Sequence, residues 1–354
     1  MVRLRIQRKE DHLKLYETLP STQAQTGFND ISFVHNSLPE ISFDDVTLDT
    51  AVCQMTLVHP LIINALTGGS DAVTTTNASL AKIAAATSSA MAVGSQYGAI
   101  KNLDAPESFK IVRKVNPKGI IFANLSAKAP LYFVEKAVDM IEANALQIHL
   151  NTAQELAMAE GDRDFTGYLK NIEQICRIAQ VPVIIKETGS GLSKQCIIKL
   201  LNCGVQGIDV GGAGGTDFIA LEAARSSTDS LGELFGWGIP TATSLTDAYQ
   251  VTKLQTSLIA SGGIITASDA AKSLALGADA FAIAGNLLTH LTTFGIDETI
   301  KHLNKLLDNL KIIMVLTGSL KVSELKKVPL LFTGTYLDHL KTLGLNPVSL
   351  AKSR

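Results

Sequence analysis

This 354-residue sequence lacks several features that mark whole classes of proteins. No stretch approaches the roughly 20 continuous apolar residues of a transmembrane helix, so no association with a membrane is expected. The first residues contain no apolar segment of the kind found in signal peptides. Acidic and basic residues nearly balance, with a formal net charge of -2, so we expect no nucleic-acid partner.

Cysteine is also scarce. The chain has four cysteines, Cys53, Cys176, Cys196 and Cys203, at irregular spacing and without a CxxC pair. In a chain of this size, such cysteines are expected to be reduced core thiols in a cytoplasmic protein. Hydrophobic residues make up 46% and charged residues 18% of the sequence, which is typical of a globular protein.

Short apolar runs alternate with amphipathic helical patterns along most of the chain. The runs of strand character are Leu61–Ala65, Ala90–Gly94, Ile120–Asn124, Leu146–His149, Val183–Glu187, Gly207–Val210, Leu258–Ser261 and Ala280–Ala284. The helical patterns are Asn77–Ser88, Pro106–Lys114, Leu131–Glu142, Thr166–Ala179, Ser193–Asn202, Ser244–Lys253 and Ala267–Ala275. Buried strands that alternate with helices are typical of parallel strands joined by helical crossovers.

Eight such units predict an α/β fold of the closed (β/α)8 TIM-barrel class, with an N-terminal extension. A doubly wound open sheet is the alternative, but eight full repeats favour closure. We expect a single domain in which residues 1–60 form the extension, 61–295 the barrel core and 296–354 a C-terminal helical part. The last outer helix is predicted at Ile296–Lys311.

Every predicted strand ends in a polar or glycine-rich segment. These segments are Thr67–Gly69, Gly94–Gln96, Asn124–Ser126, His149–Asn151, Lys186–Glu187, Gly211–Thr216, Ser261–Gly263 and Ala284–Asn286. In barrel enzymes the active site is built from the loops at the carboxyl ends of the strands. We therefore predict the functional site at this end of the barrel.

Three of these strand ends together predict a phosphate-binding site. They read GGAGGT at 211–216, SGGI at 261–264 and AGN at 284–286. Glycine lets backbone N–H groups approach an anion closely, and the start of a helix adds a favourable dipole. The last two loops of a barrel are the usual phosphate site. Taken singly, each glycine pair is also compatible with a simple turn.

The stretch Ala145–Phe165 concentrates polar side chains after one strand. His149, Asn151, Gln154 and Glu155 follow each other within seven residues. An imidazole, two amides and a carboxylate suit an anionic ligand with a bound divalent cation. The alternative is a strand that runs into an ordinary polar turn and helix start.

Lys186 ends the apolar run VPVIIKE, which would bury an unpaired ammonium. One interpretation is a lysine that extends to the rim of the barrel. A second is a cation beside the N1–C2=O edge of a flavin, where negative charge develops on reduction. A third is a Schiff-base lysine at a strand end. The neighbouring glycine-rich and amide-rich segments favour the flavin.

Over nearly its whole length the chain resembles the type 2 isopentenyl diphosphate isomerases, which are FMN-dependent barrels. The segments that carry the resemblance are RKEDHL at 8–13, TGG at 67–69, GSQ at 94–96, QIHLN at 147–151, QE at 154–155, EGDRDF at 160–165, KETG at 186–189, GGT at 214–216, WGIPT at 237–241 and SGGI at 261–264. Together they are specific, although no single segment would be.

The resemblance implies a role for each matching residue. FMN would be bound by Thr67, Ser95, Asn124, Lys186 and Thr216, and its phosphate by the backbone of Gly262, Gly263, Ala284 and Gly285. The substrate would be bound by Arg8, Lys9, His149, Asn151 and Gln154, with Gln154 and His149 as the candidate catalytic residues. Glu155 would bind Mg²⁺. Two departures stand out, because Tyr97 and Ile265 occupy positions where some relatives carry arginine.

The implied reaction converts isopentenyl diphosphate to dimethylallyl diphosphate. A proton is added to an unactivated alkene and another is removed from the neighbouring carbon, and reduced FMN mediates this transfer without net redox change. NADPH or NADH would serve only to reduce the flavin. The resemblance also implies a homo-oligomer, a tetramer or an octamer.

Three other functions are weighed against this one. A 2-hydroxy-acid oxidase needs a histidine base and an arginine in the loop after the sixth strand, and Gly211–Phe218 contains neither. An IMP-dehydrogenase-like reaction would need a cysteine in that loop, which is also absent. A non-catalytic FMN- or phosphate-binding barrel would not need Arg8, Lys9, Gln154 or Glu155.

Overall fold

The computed structural model describes Leu15 and residues 24–66, 69–70, 73–102, 105–226, 231–252 and 256–352. The strands are β1 (Ile31–Phe33), β2 (Thr50–Val52), β3 (Met55–Leu57), β4 (Leu61–Ile63), β5 (Ala90–Ala92), β6 (Ile121–Ser126), β7 (Ala145–Leu150), β8 (Val183–Glu187), β9 (Gly207–Asp209), β10 (Ser257–Ser261), β11 (Ala280–Ile283) and β12 (Leu330–Phe332). The helices are α1 (Thr74–Thr87), α2 (Tyr97–Asn102), α3 (Glu107–Val115), α4 (Phe133–Ile141), α5 (Thr152–Ala157), α6 (Tyr168–Ile178), α7 (Lys194–Leu201), α8 (Phe218–Ser226), α9 (Thr241–Val251), α10 (Ala267–Ala275), α11 (Gly285–Leu316), α12 (Gly334–Thr342) and α13 (Pro347–Lys352).

Strands β4 to β11 form a closed parallel barrel in chain order, with β11 paired to β4. The predicted (β/α)8 fold is therefore confirmed, and the open-sheet alternative is wrong. Each predicted strand coincides with one barrel strand to within a few residues. The strands are apolar along their length because helices cover one face and the barrel interior fills the other.

Alternate residues of the strands point into the barrel, as the two-residue period of a strand requires. In β4, Ile62 belongs to the apolar cluster inside the barrel, whereas Leu61 and Ile63 belong to the larger core against the outer helices. The hairpin β2–β3 contributes Val52 and Leu57 to the inner cluster. This hairpin therefore packs against the amino-terminal end of the barrel, which leaves the carboxyl end for function.

The parts outside the barrel are joined to each other. Strand β1 of the N-terminal extension pairs antiparallel with β12 of the C-terminal part, with Ser32 opposite Leu331. The part beyond residue 296 was expected to be helical, and it contributes this strand as well as helices. No helix in the described ranges is long and apolar enough to cross a bilayer.

Helix α11 is bent at Gly295, whose φ of 79° is not helical. The first segment begins directly after β11, and the second includes the predicted helix Ile296–Lys311 and continues to Leu316. The sequence patterns missed the first segment, together with the short helices α2 and α5 and the helix α8. All four follow polar or glycine-rich strand ends, where helical periodicity is weak.

Candidate active site

A belt of polar side chains crosses the interior of the barrel at its carboxyl end. Asn64, Asn124, Gln147, Asp209 and Ser261 are all buried. Hydrogen bonds join them: Asn124 Nδ2 donates to Gln147 Oε1 (3.2 Å), Gln147 Nε2 to Asn64 Oδ1 (3.2 Å), and Asn64 Nδ2 to Asp209 Oδ2 (2.8 Å). Ser261 Oγ also donates to Asp209 Oδ1. Each polar group thus has a partner, which offsets its desolvation.

Lys186 lies on this belt. Its side chain is buried, and Nζ is 3.7 Å from Asp209 Oδ2 and donates to the carbonyl of Glu187 at 3.0 Å. The interpretation of a lysine reaching out to solvent is therefore wrong, because the residue is only 8% exposed.

Glu187, the next residue, stabilises the loop that follows β8. Its carboxyl group accepts hydrogen bonds from the backbone N–H groups of Ser190 (2.5 Å) and Gly191 (3.1 Å). Burial raises the pKa of Glu187 to about 7, although these N–H donors and Lys186 favour the ionised form. The carboxyl group therefore changes charge near neutral pH while it fixes a loop at the rim of the site.

The two glycine-rich loops pack directly against each other. Gly262 and Gly263 have φ values of 107° and 70°, a region that favours glycine. A Cβ on Gly262 would overlap the carbonyl oxygen of Gly212, and one on Gly263 would overlap that of Gly214. Thr26 of the N-terminal extension also touches this position. The absence of side chains lets the loop after β10 pack directly against the loop after β9 and against Thr26.

The helix starts beside these loops differ in a way that the sequence did not predict. Asp217 accepts from the N–H groups of Ile219 and Ala220 at the start of α8. Thr266 and Asp269 form a capping box at the start of α10. These two helix starts donate hydrogen bonds to their own acidic residues, and the phosphate site at the three strand ends stays a prediction. Only α11 among the three begins without a side-chain cap, at Ala284 and Gly285.

The stretch after β7 is a real cluster of side chains. His149 is the last residue but one of β7, Asn151 precedes α5, and Gln154 and Glu155 lie in the first turn of that helix. Asn151 Nδ2 donates to Glu155 Oε1 (3.0 Å) and lies 3.4 Å from Gln154 Oε1. His149 Nδ1 is 2.8 Å from Asn124 Oδ1. The contact with Asn124 connects His149 to the buried belt.

Apart from their shared contact with Asn151, the side chains of Gln154 and Glu155 have different hydrogen-bond partners. Gln154 Nε2 donates to Glu222 Oε1 at 2.9 Å, and Glu222 is fully buried on α8. Glu155 Oε2 instead accepts from the backbone N–H of Asp162 at 2.9 Å. Arg225 bridges Glu222 and Glu160, with distances of 2.7 Å to each.

The remaining predicted residues lie at the same end of the barrel or outside the described residues. Ser95 follows β5 and is half-buried, and Thr216 lies in the loop before α8. Arg8, Lys9 and Thr67 lie outside the described residues. Of the two departures, Tyr97 packs on Phe133 with ring centroids 5.1 Å apart, and Ile265 is 52% exposed.

The sequence analysis did not assign Asn64, Gln147, Asp209 or Glu222 to the site. The first three follow a signal that was available, since each is a polar residue in or directly after an apolar strand. Glu222 had a weaker signal, a Glu–Arg pair three residues apart on a helix whose burial is not evident from the pattern.

Protein side chains alone do not form a complete metal site in the described part of the chain. No group of three or more His, Cys, Asp or Glu side chains there is arranged to hold an ion. A cation at Glu155 would therefore need oxygen atoms from a bound ligand, which is how Mg²⁺ is often bound beside phosphates.

Comparison with known proteins identifies the fold and the family of this chain. Residues 102–330 match the family model described as FMN-dependent dehydrogenase. The solved structure of a lactate oxidase from Pediococcus acidilactici aligns with a TM-score of 0.69 at 17% identity, covering 92% of this chain and 94% of that one. A flavocytochrome b2 aligns with a TM-score of 0.67 at 16% identity, covering 89% of this chain and 81% of that one. At such identities these structures support the fold alone.

Sequence relatives are much closer. The isopentenyl-diphosphate delta-isomerase of Bacillus licheniformis is 45% identical over 345 residues, which is 97% of this chain and 98% of that protein. The protein of the same name from Bacillus cytotoxicus is 47% identical over 344 residues, 97% of both chains. Identity at this level over nearly the full length shows that the chain belongs to the isopentenyl-diphosphate delta-isomerases.

Proposed function

We propose that the protein interconverts isopentenyl and dimethylallyl diphosphate with reduced FMN and Mg²⁺, without net oxidation or reduction of the substrate. The observation that carries the proposal is the position of one cluster. His149 lies near the carboxyl end of β7, and Asn151, Gln154 and Glu155 follow it, in the same barrel whose last loops are rich in glycine. Catalytic side chains and an anion cradle are thus at one end of the barrel.

The residues present fit FMN. The start of α11 at Gly285 has no side-chain cap, so its backbone N–H groups favour a phosphate group. The glycines at 262 and 263 allow the loops after β9 and β10 to pack closely, and we propose that their backbone also binds the phosphate. Lys186 supplies a buried positive charge for the flavin ring, and Ser95, Asn124 and Thr216 supply polar groups. When bound, reduced FMN supplies an acid–base group that is stronger than the side chains available here.

Mg²⁺ fits Glu155 as a partial site. The carboxylate is held by Asn151 Nδ2 and by the N–H of Asp162, so its position is fixed before any ligand arrives. A diphosphate beside an isolated carboxylate would be repelled, and a divalent cation between them removes that repulsion. Arg8, Lys9 and His149 would neutralise the remaining charge of the diphosphate.

Gln154 is suited to the hydrocarbon end of the substrate because it is neutral. A fixed charge there would bind the tertiary cation that protonation of the alkene produces and would slow its release. Its amide is oriented by Glu222 on one side and by Asn151 on the other. We propose that Gln154 positions the substrate and relays the proton that leaves it.

A 2-hydroxy-acid oxidase is the alternative in the same fold. That reaction needs a histidine base and an arginine near the loop after β9, whereas the chain has glycines there and Asp217 caps the next helix. NADPH is proposed only as the reductant of FMN. The homo-oligomer and the cytoplasmic location stay predictions from the sequence.

The test is an anaerobic assay of isopentenyl diphosphate with purified, FMN-loaded protein. We expect no turnover with oxidised FMN in air and turnover after photoreduction, with no stoichiometric consumption of NADPH. Oxidation of one NADPH per product under strict anaerobiosis would contradict the proposal and indicate a true oxidoreductase. The absorption spectrum of the purified protein provides the first control, because it reports the flavin directly.

A further inference from the structure

We propose that Asp209, Asn64 and Gln147 are positioning residues that fix the tautomer of His149, so that Nδ1 always carries a proton and Nε2 is the ring nitrogen that gains or loses one. The chain of hydrogen bonds from Asp209 to His149 has a single possible direction, and that direction is set at the Asp209 end, on the other side of the barrel interior.

The donor-to-acceptor direction of this chain of hydrogen bonds is set first at Asp209. Three groups donate to its carboxyl oxygens, Asn64 Nδ2 (2.8 Å), the N–H of Gly211 (3.3 Å) and Ser261 Oγ, and Lys186 Nζ lies 3.7 Å from Oδ2. The carboxyl oxygens act as acceptors toward these groups. Asn64 must therefore turn its NH₂ group toward Asp209.

A second hydrogen bond fixes the position of the side-chain oxygen of Asn64. The backbone N–H of Ala65 donates to Asn64 Oδ1 at 2.9 Å. A backbone N–H cannot accept, so the group that faces it must be the oxygen. The orientation of the Asn64 amide thus follows from a carboxylate on one side and a main-chain donor on the other.

The remaining links follow in order. Because Asn64 presents oxygen, Gln147 must donate with Nε2 (3.2 Å), which leaves Gln147 Oε1 to accept from Asn124 Nδ2 (3.2 Å). Asn124 then presents Oδ1 to His149 Nδ1 at 2.8 Å. An amide oxygen has no proton to give, so Nδ1 of His149 carries the hydrogen.

The fixed proton on Nδ1 determines which ring nitrogen of His149 can exchange a proton, and that nitrogen is Nε2. With Nδ1 protonated in both charge states, the neutral ring has its lone pair at Nε2, and the imidazolium has a second N–H there. This part rests on the proposed function: His149 then donates from Nε2 to a diphosphate oxygen only when it is charged. If Asn124 presented its NH₂ group instead, the charged ring would face a donor and would be disfavoured.

The experiment measures the tautomer directly by long-range ¹H–¹⁵N correlation NMR on FMN-loaded protein with ¹⁵N-labelled histidine, at a pH where the ring is neutral. His149→Gln identifies the His149 signal among the seven histidines. We expect the Nδ1–H form in the unsubstituted protein. An Nε2–H form overturns the proposal, and this outcome needs no substrate, so it is distinguishable from failure of the proposed function.

Two variants test whether the chain of amides is the cause. Gln147→Met keeps the side-chain volume and removes both hydrogen bonds, and Asn64→Leu interrupts a different link if the first variant does not fold. Each should convert the single tautomer into a mixture and raise KM for isopentenyl diphosphate on the order of tenfold. A pure Nδ1–H form in a folded variant overturns the assigned role.

A matched control is Asn77→Leu. Asn77 is another buried amide, hydrogen-bonded to the carbonyl of Ser108 and located on α1 outside the polar belt. Its loss should cost comparable stability but leave the His149 tautomer and KM unchanged. A tautomer change in this control would mean that general loosening of the barrel, and not the amide chain, determines the state of His149.

Discussion

Lys186 and Asp209 are opposite each other on neighbouring barrel strands, and their side chains form a buried ion pair with Nζ 3.7 Å from Oδ2. Asp209 is inaccessible to solvent and Lys186 nearly so. The pair places one positive charge at the proposed flavin site and balances it with the carboxylate that also begins the amide chain. Removing one partner therefore has two separable effects, on stability and on the cofactor.

Lys186→Ala should destabilise the fold by about 3–5 kcal/mol, because it leaves the Asp209 carboxylate buried without its cation. The double variant Lys186→Ala/Asp209→Asn should recover much of that loss in urea unfolding. Flavin affinity should stay weakened in both variants, by about 1.5–3 kcal/mol for a lost charge-assisted contact. Unchanged flavin content and reduction potential in Lys186→Ala would contradict the role of this lysine at the flavin.

Glu155 and Gln154 should affect different kinetic quantities. Glu155→Gln removes the carboxylate proposed for Mg²⁺, so the Mg²⁺ concentration for half-maximal rate should rise while FMN affinity stays intact. Gln154→Leu removes the amide bonded to Glu222 and should lower kcat with little change in Mg²⁺ dependence. Titrations that shift equally in both variants, or in neither, would show that the assignment of separate roles is mistaken.

Glu187 should make stability depend on pH in an unusual direction. Its pKa is raised from 4.5 to about 7 in the folded protein, so the folded state holds the proton more tightly than the unfolded state. Stability relative to Glu187→Gln is then highest below about pH 4.5 and falls as the pH rises through about 7, by up to about 3 kcal/mol. Urea unfolding of both proteins at several pH values measures this difference. Glu298→Gln, on an exposed helix face, is the control and should show no such trend.

Gly263→Ala should reduce both flavin affinity and stability. The added Cβ would overlap the carbonyl of Gly214 and would sit at a positive φ of 70°. We expect a loss of more than 1 kcal/mol in stability and flavin that dissociates on gel filtration. Gly232→Ala is the matched control, because no atom lies near its added Cβ. Retained flavin in a folded Gly263→Ala protein would argue against a phosphate cradle at this loop.

The barrel could be predicted because the sequence shows both of its repeating patterns, the apolar runs of the strands and the amphipathic pattern of the helices. Runs such as VPVII at 181–185 are apolar throughout, and the helical pattern at Ala267–Ala275 coincides with α10. The extra strands could not be predicted in the same way. Strands β1 and β12 have three residues each and pair across about 300 positions, so no local pattern specifies them.

The site was predictable where a strand end carries several polar residues together, as at His149 to Glu155. The site was not predictable where the role of a residue depends on a side chain that is distant in the sequence. The partner of Lys186 is Asp209, and the partner of Gln154 is Glu222, and each comes from a different unit of the barrel. A single sequence shows both ends of such a contact but not their distance.

The contact of the glycine loops with Thr26 has a consequence for the order of assembly. The proposed cradle includes the loops after β9 and β10, and Thr26 of the N-terminal extension packs against them. None of these pieces forms an anion site alone, so a phosphate group can bind tightly only after the ring of strands has closed. Flavin release should therefore coincide with the unfolding of the whole barrel, and added FMN should raise its melting temperature.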